Sequence, residues 1–448
     1  MAPRPLTHVY CLVVLALSAA CPTSIRAQAL PSTAPALEST ETPESTETAA
    51  TVADADPVVL AGVSALNRYR AAAGLGPVAP DPSSAAPLHA HYLMLNQGSI
   101  ATAGLRAHTE YEELPGYTPE GAAVAERSNI SEGVSKVEAA VQGLVDAPLH
   151  RHGLLDPGLG ELGVGGEGGF WVFDLGAARP VEPGSPRVVA FPGAGQRRVP
   201  LAFPGHETPD PLAAIPGLAP DAVVGYPITL HFYGCEPQGV QEVSLTSGDA
   251  PVPIHVVEPG TVLGAEGGTR RVQPVLIFPQ SPLQPASAYT VRISAACGVL
   301  GPRTYEWQFT TRAALDAGAT QIAVGANDSD GWQPVTVRLL DREGLPVEGA
   351  RITSLRWSFT APPGGRRPEV REEQSESLSD GIVRFAFHLG DAPAAAVELE
   401  VAHDGQTVTI PVRVTPAGSG PLLDAPEPGP IPVDPTARAG WEEALGTA

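Results

Sequence analysis

Apolar positions recur at helical spacing only in the first part of the chain. Val59, Val63 and Leu66 follow Asp56-Pro57, an N-cap with proline at the first helical position, and Gly74 supplies a stop. A second helix is expected from near Ser84, with Pro87 in its tolerated first turn, to about Asn96 before Gly98. Val137, Val141, Leu144 and Val145 mark a third, opened by a Ser135/Glu138 capping box and ended by Pro148. Between Glu161 and Leu175 a Gly-Gly-Glu-Gly-Gly turn joins two short runs, the signature of a hairpin.

Beyond Gly176 the period changes to two. Ile228, Leu230 and Phe232 alternate with Thr229, His231 and Tyr233, and Tyr305, Trp307 and Phe309 alternate with Glu306 and Gln308, as strands with one buried face do. Val335, Val337 and Leu339 repeat the pattern, as does the run from Ile382 to Phe387 behind Asp380-Gly381. The expectation is a multidomain chain, a mixed helix-and-strand lobe followed by two all-β units. A length of 448 residues fits roughly three domains.

The ends read differently. Val9 to Ala20 is an apolar run the length of a signal-peptide core, and Ala27-Gln28-Ala29 offers a small-x-small cleavage site, so residues 1–29 are expected to direct export. Lipid anchoring at Cys21 is the alternative, with Ser18 standing where a lipobox usually has leucine. Residues 30–53 are Thr, Glu, Ser, Pro and Ala with little to bury, and 417–448 are Pro-rich and acidic; both are expected to be flexible. No other window holds eighteen consecutive apolar residues, so no further membrane span is expected.

A net charge of −22 opposes a polyanionic partner and excludes nucleic acid as a target. Two of the four cysteines lie in the leader. Cys235 and Cys297 remain, an even pair that in an exported chain points to one disulfide, the alternative being two buried small hydrophobes.

Three segments then stand out in order: Leu66-Asn67-Arg68-Tyr69-Arg70 with Gly74-Leu75, Ala107-His108-Thr109, and the run Ala147 to Pro157 with its His150-Arg151-His152 centre. They resemble the opening, first histidine and SPGHRxxLLDP segment of the bacterial branch of the CAP superfamily. That resemblance implies an α-β-α sandwich over about 54–178, with a cavity lined by two histidines, here His108 and His150, and two acids. The acids fit less well. The family's GEN motif is replaced by Arg127-Ser128-Asn129, which puts Ser128 at the glutamate's place; Glu120 is a substitute carboxylate and Glu110 a weaker one. The second acid falls at Glu138, which already has a capping role.

The region from Ser281 to Thr311 resembles the bacterial Ig-like modules of surface proteins, implying a β-sandwich over 200–313. Pro346-Val347-Glu348-Gly349-Ala350 and Ser379-Asp380-Gly381 resemble the invasin-type Ig-like repeat, implying another over 318–416.

His150 and His152 form an HxH, and His108 adds a third nitrogen, the count of a catalytic zinc site, although no spacing-specific zinc motif accompanies them. His89 and His91 sit about 200° apart on a helix and cannot share a ligand face. Asp328-Ser329-Asp330-Gly331 starts like a calcium loop but lacks its later glutamate, so an Asp-Gly turn is expected. There is no GxSxG, phosphate loop or dinucleotide fingerprint. The leading expectation is an exported binding module at the cell envelope, taking a small apolar ligand, a cell-wall component or an extracellular protein, with no assigned reaction. A metal-dependent hydrolase using His108, His150 and Glu120 or Glu138, and a purely structural adhesin, are the alternatives.

Overall fold

The computed structural model describes residues 11–12, 56–203, 205, 207–219, 222–360, 364–416, 421–423 and 429–446. The expected leader and spacer lie outside these, apart from Cys11–Leu12, which pairs with Ser131 and Ile130 at one edge of the first sheet.

Helix α1 (Pro57–Ala72) begins as the pattern predicts, with the Asp56 carboxylate accepting from Val58 N at 2.8 Å and Pro57 in the first turn. Helix α2 (Ala86–Leu95) and the short α3 (Pro119–Ala125) follow, then the strand Ser128–Glu132. Helix α4 (Val137–Asp146) corrects one expectation, because its N-cap is Lys136 and carries no side-chain cap bond, so no Ser135/Glu138 capping box forms. Helix α5 (His150–Leu154) leads into the hairpin Glu161–Glu167 and Phe170–Asp174, turned by Gly168 and Gly169 at φ 60° and 87°. Strands 128–132, 170–174, 161–167 and 79–80 lie side by side in that order.

Helices cover both faces of this sheet. The position of Gly62 in α1 faces Val164 and Val137, whereas a Cβ on the neighbouring Gly165 would collide with the Ala86 backbone of α2. Successive strand residues point to opposite faces, so α1 and α4 lie on one side and α2 on the other. This is an α-β-α sandwich.

The motif residues of α1 hold it in place. Asn67 mimics a strand partner, donating to Val78 O at 2.9 Å and accepting from Val78 N at 2.8 Å. The buried Arg70 guanidinium donates to the carbonyls of Gly76, Leu154, Asp156 and Leu159 at 2.8–3.2 Å, tying the helix to the loop that follows α5.

The first β-unit begins upstream of the expected residue 200, because Arg187–Phe191 pairs with Ile228–Tyr233 in a sheet completed by Val275–Pro279 and Ile254–Val257. A second sheet holds Pro302–Thr310, Ala288–Cys297 and Pro237–Ser247. Tyr305, Trp307 and Phe309 point inward from it as predicted, and Cys235 and Cys297 are joined by a disulfide. The second β-unit sets a four-stranded sheet against a three-stranded one around its own core of Val337, Phe385, Leu399, Ile410 and neighbours. Asp328 Oδ1 accepts from Asp330 N and Trp332 N at 2.9 Å, the ordinary turn expected there.

The acidic tail is not structureless where it is described. Helix α6 (Pro435–Leu445) is capped by Asp434, whose carboxylate accepts from Thr436 N at 2.9 Å, and it ends on Gly446 at φ 73°. Its Trp441 packs at 5.5 Å, centroid to centroid, from Trp307. Arg438 donates to Ala71 O and Ala72 O at the C-terminus of α1, where unpaired carbonyls attract a cation.

Candidate functional site

The two resemblance-predicted histidines end in one buried region, reached from different elements. His108 closes a 3₁₀ segment, Gly104–His108, and its Nδ1 lies 3.1 Å from Ala125 O, the same carbonyl that accepts from Ser128 Oγ at 3.3 Å. Its Nε2 has no hydrogen-bond partner among the described residues. Burial holds its pKa well below the usual imidazole range, and the neighbouring charges of Arg270, His89 and His150 oppose protonation further. His150 opens α5, and Asn129 Nδ2 donates to its carbonyl at 2.9 Å.

The carboxylate that meets His150 comes from none of the predicted positions. Glu207, in the connection between strands Arg187–Phe191 and Ile228–Tyr233 of the first β-unit, puts Oε1 2.7 Å from His150 Nδ1 and accepts on the same oxygen from Leu149 N and His150 N, each at 2.8 Å. Both side chains are fully buried. Burial pushes the Glu207 carboxyl up to about 8, against the opposing pull of the two backbone N–H donors.

A roof lies over the pair. Phe203, Leu212, Ile215, Leu263 and Phe278 form one apolar cluster with Leu149, the residue before His150. The hairpin Val262–Ala265 and Gly268–Arg271 presses its tip onto the 3₁₀ segment, with Leu105 N donating to Glu266 O at 2.7 Å and Arg106 paired to Glu266 at 2.6 Å.

Other predicted site residues lie apart. Glu120 is exposed at the start of α3 and Glu138 half-exposed at the start of α4, and no described hydrogen bond joins either to a histidine. Glu110 is spent on His89, 2.9 Å from its Nδ1, and on Thr118 N at 3.0 Å. His91 turns the other way, to Glu167 at 2.9 Å, as the helical angle requires. His152 does not join His108 and His150. Two positions on along α5, it faces the first β-unit, where its Nδ1 lies 3.0 Å from His231 Nδ1 and its ring stacks on Tyr233 at 4.7 Å. Burial lowers the pKa of His152 to about 4 and holds His231 well below the ordinary value.

Sequence reasoning missed the surface on which these rings meet. Ile228–Tyr233 is buried on both faces, because its polar residues meet the sandwich rather than water. Arg151 is the centre of that contact. Its guanidinium donates to Val145 O, Asp146 O, Pro227 O, Thr229 Oγ1 and Tyr226 OH at 2.6–3.3 Å and lies 4.5 Å over the Phe191 ring. Tyr226 OH in turn donates to Asp146 Oδ1 at 2.7 Å, and burial raises Asp146 to about 6.

Residues 63–169 match the CAP family, the cysteine-rich secretory protein family. The matched stretch covers the sandwich up to the hairpin and stops well before Glu207, so the carboxylate bonded to His150 comes from outside the matched stretch. No curated protein matches the chain. Among solved structures, one described as FdeC, an Escherichia coli adhesin, aligns at 15% identity and a TM-score of 0.22, over 44% of this chain and 59% of that chain. This chain thus spans less than two thirds of that structure's length.

The nitrogens of His108, His150 and His152 raise the expectation of a zinc site. Among the described residues no group of three His, Cys, Asp or Glu side chains converges as a ligand set, since His152 is diverted to His231 and Glu120 faces solvent. Those residues do not fit a zinc site of the three-ligand kind. No described helix is long and apolar enough to cross a membrane.

Proposed function

We propose that the protein is an exported, cell-envelope binding module in which the CAP domain and first β-unit act as one rigid body, and binding uses its outer surface. The observation that carries this reading is the burial of His108 and His150, with Glu207 bonded to His150 beneath the roof formed by Phe203, Leu212, Ile215, Leu263 and Phe278. A reaction at His108 and His150 would need that roof to lift, whereas attachment needs no such motion. Ig-like character of the two β-units suits the role of spacer and contact surface, and a cell-wall component or an extracellular protein is the partner class.

Co-sedimentation of the full chain with isolated cell-wall material tests the reading. The protein is expected in the pellet, and His108→Gln is expected to leave that fraction unchanged. Protein remaining in the supernatant, or zinc-dependent wall hydrolysis abolished by His108→Gln, would replace binding with the hydrolase reading. The observation favouring that second reading is the buried His108 Nε2 with no described partner.

A further inference from the structure

A groove of ≈ 710 Å³ runs between the loop after α1, residues 179–189 at the start of the first β-unit, and helix α6. It lies apart from the CAP histidines, touching the motif segments only at Gly74, Leu75 and Pro157. Its size is that of a small-molecule site.

Its lining combines two chemistries. Arg179, Arg187 and Arg303 face it from three separate segments, all exposed, and none makes an ion pair among the described residues. Arg438 adds a fourth guanidinium, already committed to the α1 carbonyls. Val181, Leu300 and Leu445 supply an apolar wall beside the edge of Trp441. Glu182 and Glu442 are the acids in the lining, so cations outnumber them. On a chain of net charge −22 such a local excess of guanidinium is the reverse of the prevailing surface.

We infer that this groove is a binding site for a small organic anion with an apolar tail, its carboxylate taken by Arg187 and Arg303 and its tail laid along Val181, Leu300 and Leu445. Guanidinium pairs carboxylates through two parallel N–H donors, and the apolar wall adds burial that an inorganic anion cannot use. The overall negative field rejects a long polyanion, whose charge would extend past the groove, and tolerates a single short one. This site is independent of what the protein attaches to, so neither result below bears on co-sedimentation with cell wall.

Ligand-observed NMR on the full chain at low salt provides the test, with octanoate as probe, acetate as the bare anion and octyl glucoside as the neutral amphiphile. Octanoate is expected to saturate with a Kd on the order of 1–10 mM, the range that ligand efficiency gives for ten heavy atoms. Acetate and octyl glucoside are expected not to saturate in that range. The double variant R187Q/R303Q, both exposed and outside the cores, is expected to weaken octanoate about fivefold or more, and R271Q on the distant hairpin to change nothing. Unaltered affinity in R187Q/R303Q, equal binding of octyl glucoside, or no saturation at ten times the expected Kd would each overturn the assignment.

Discussion

Glu207 Oε1 lies 2.7 Å from His150 Nδ1, joining a residue outside the CAP match to the second histidine of the CAP cavity. The same oxygen accepts two backbone N–H groups, so removing the side chain strands two buried donors and takes the partner from a buried ring nitrogen. Each buried donor left unsatisfied costs about 1–3 kcal/mol. Glu207→Ala is therefore expected to lose about 3 kcal/mol or more, read from the urea midpoint of the full chain. Formate, small enough to enter the space left behind, is expected to restore part of that loss in the variant and to leave the parent unchanged. A loss under about 1 kcal/mol would mean that this carboxylate does not hold the roof.

Acid should loosen the contact between the CAP domain and the first β-unit. His152 and His231 face each other at 3.0 Å in a buried interface, with His152 lowered to about 4 from 6.5. A histidine whose folded pKa is depressed is neutral in the native state while the unfolded chain binds a proton. Its contribution is intact above about pH 6.5 and shrinks as pH falls toward 4, by on the order of 3 kcal/mol for His152. Urea denaturation at pH 7 and 4.5 should show this fall, and His152→Leu should flatten it. An equal fall in the variant would assign the acid sensitivity elsewhere.

Arg151 is expected to be the most sensitive position in that interface. Its donors are all used and its partners lie in both units, so Arg151→Met leaves several buried acceptors unpaired. Breaking such a buried charge network costs about 3–5 kcal/mol. In calorimetry the CAP domain and first β-unit, which share a continuous core, should melt together in the parent, and the second β-unit, with a core of its own, separately. The substitution should lower the first transition and spare the second.

The tail helix should be a clasp rather than a loose end. Trp441→Ala removes its one buried side chain, which sits between Tyr305 and Trp307. Limited proteolysis is expected to cleave the variant near residues 429–434 under conditions where the parent resists. Equal resistance would show that the helix is held without Trp441, by Arg438 and the bonds of residues 432–434 to Gly195 and Arg197.

The parts of the fold legible in the sequence are those whose apolar spacing faces a single core. α1, α4 and the glycine-turned hairpin belong here, as does the inward row of Tyr305, Trp307 and Phe309. Ile228–Tyr233 misled, because Thr229 and His231 sit in the polar phase of an alternating strand and read as solvent-facing, while their partners, Arg151 and His152, are just as polar. α6 misled for the opposite reason: a polar, proline-preceded segment holds its place through Trp441, Arg438 and backbone bonds at Asp434, none of which leaves a periodic signal. The histidine pair was legible only through its resemblance to the CAP family. Glu207 follows His150 by 57 positions in a segment with no motif, and nothing short of the tertiary contact marks it.

Solvent access to His108 and His150 tests the sealed cavity most directly. Diethylpyrocarbonate labelling of the native full chain, read by mass spectrometry, should modify His91, whose side chain is 46% exposed. His108, His150, His152 and His231 should remain unlabelled until the chain is unfolded. Modification of His108 or His150 at the rate of His91 would contradict a roof held shut by Glu207 and return the CAP cavity to consideration as an open site.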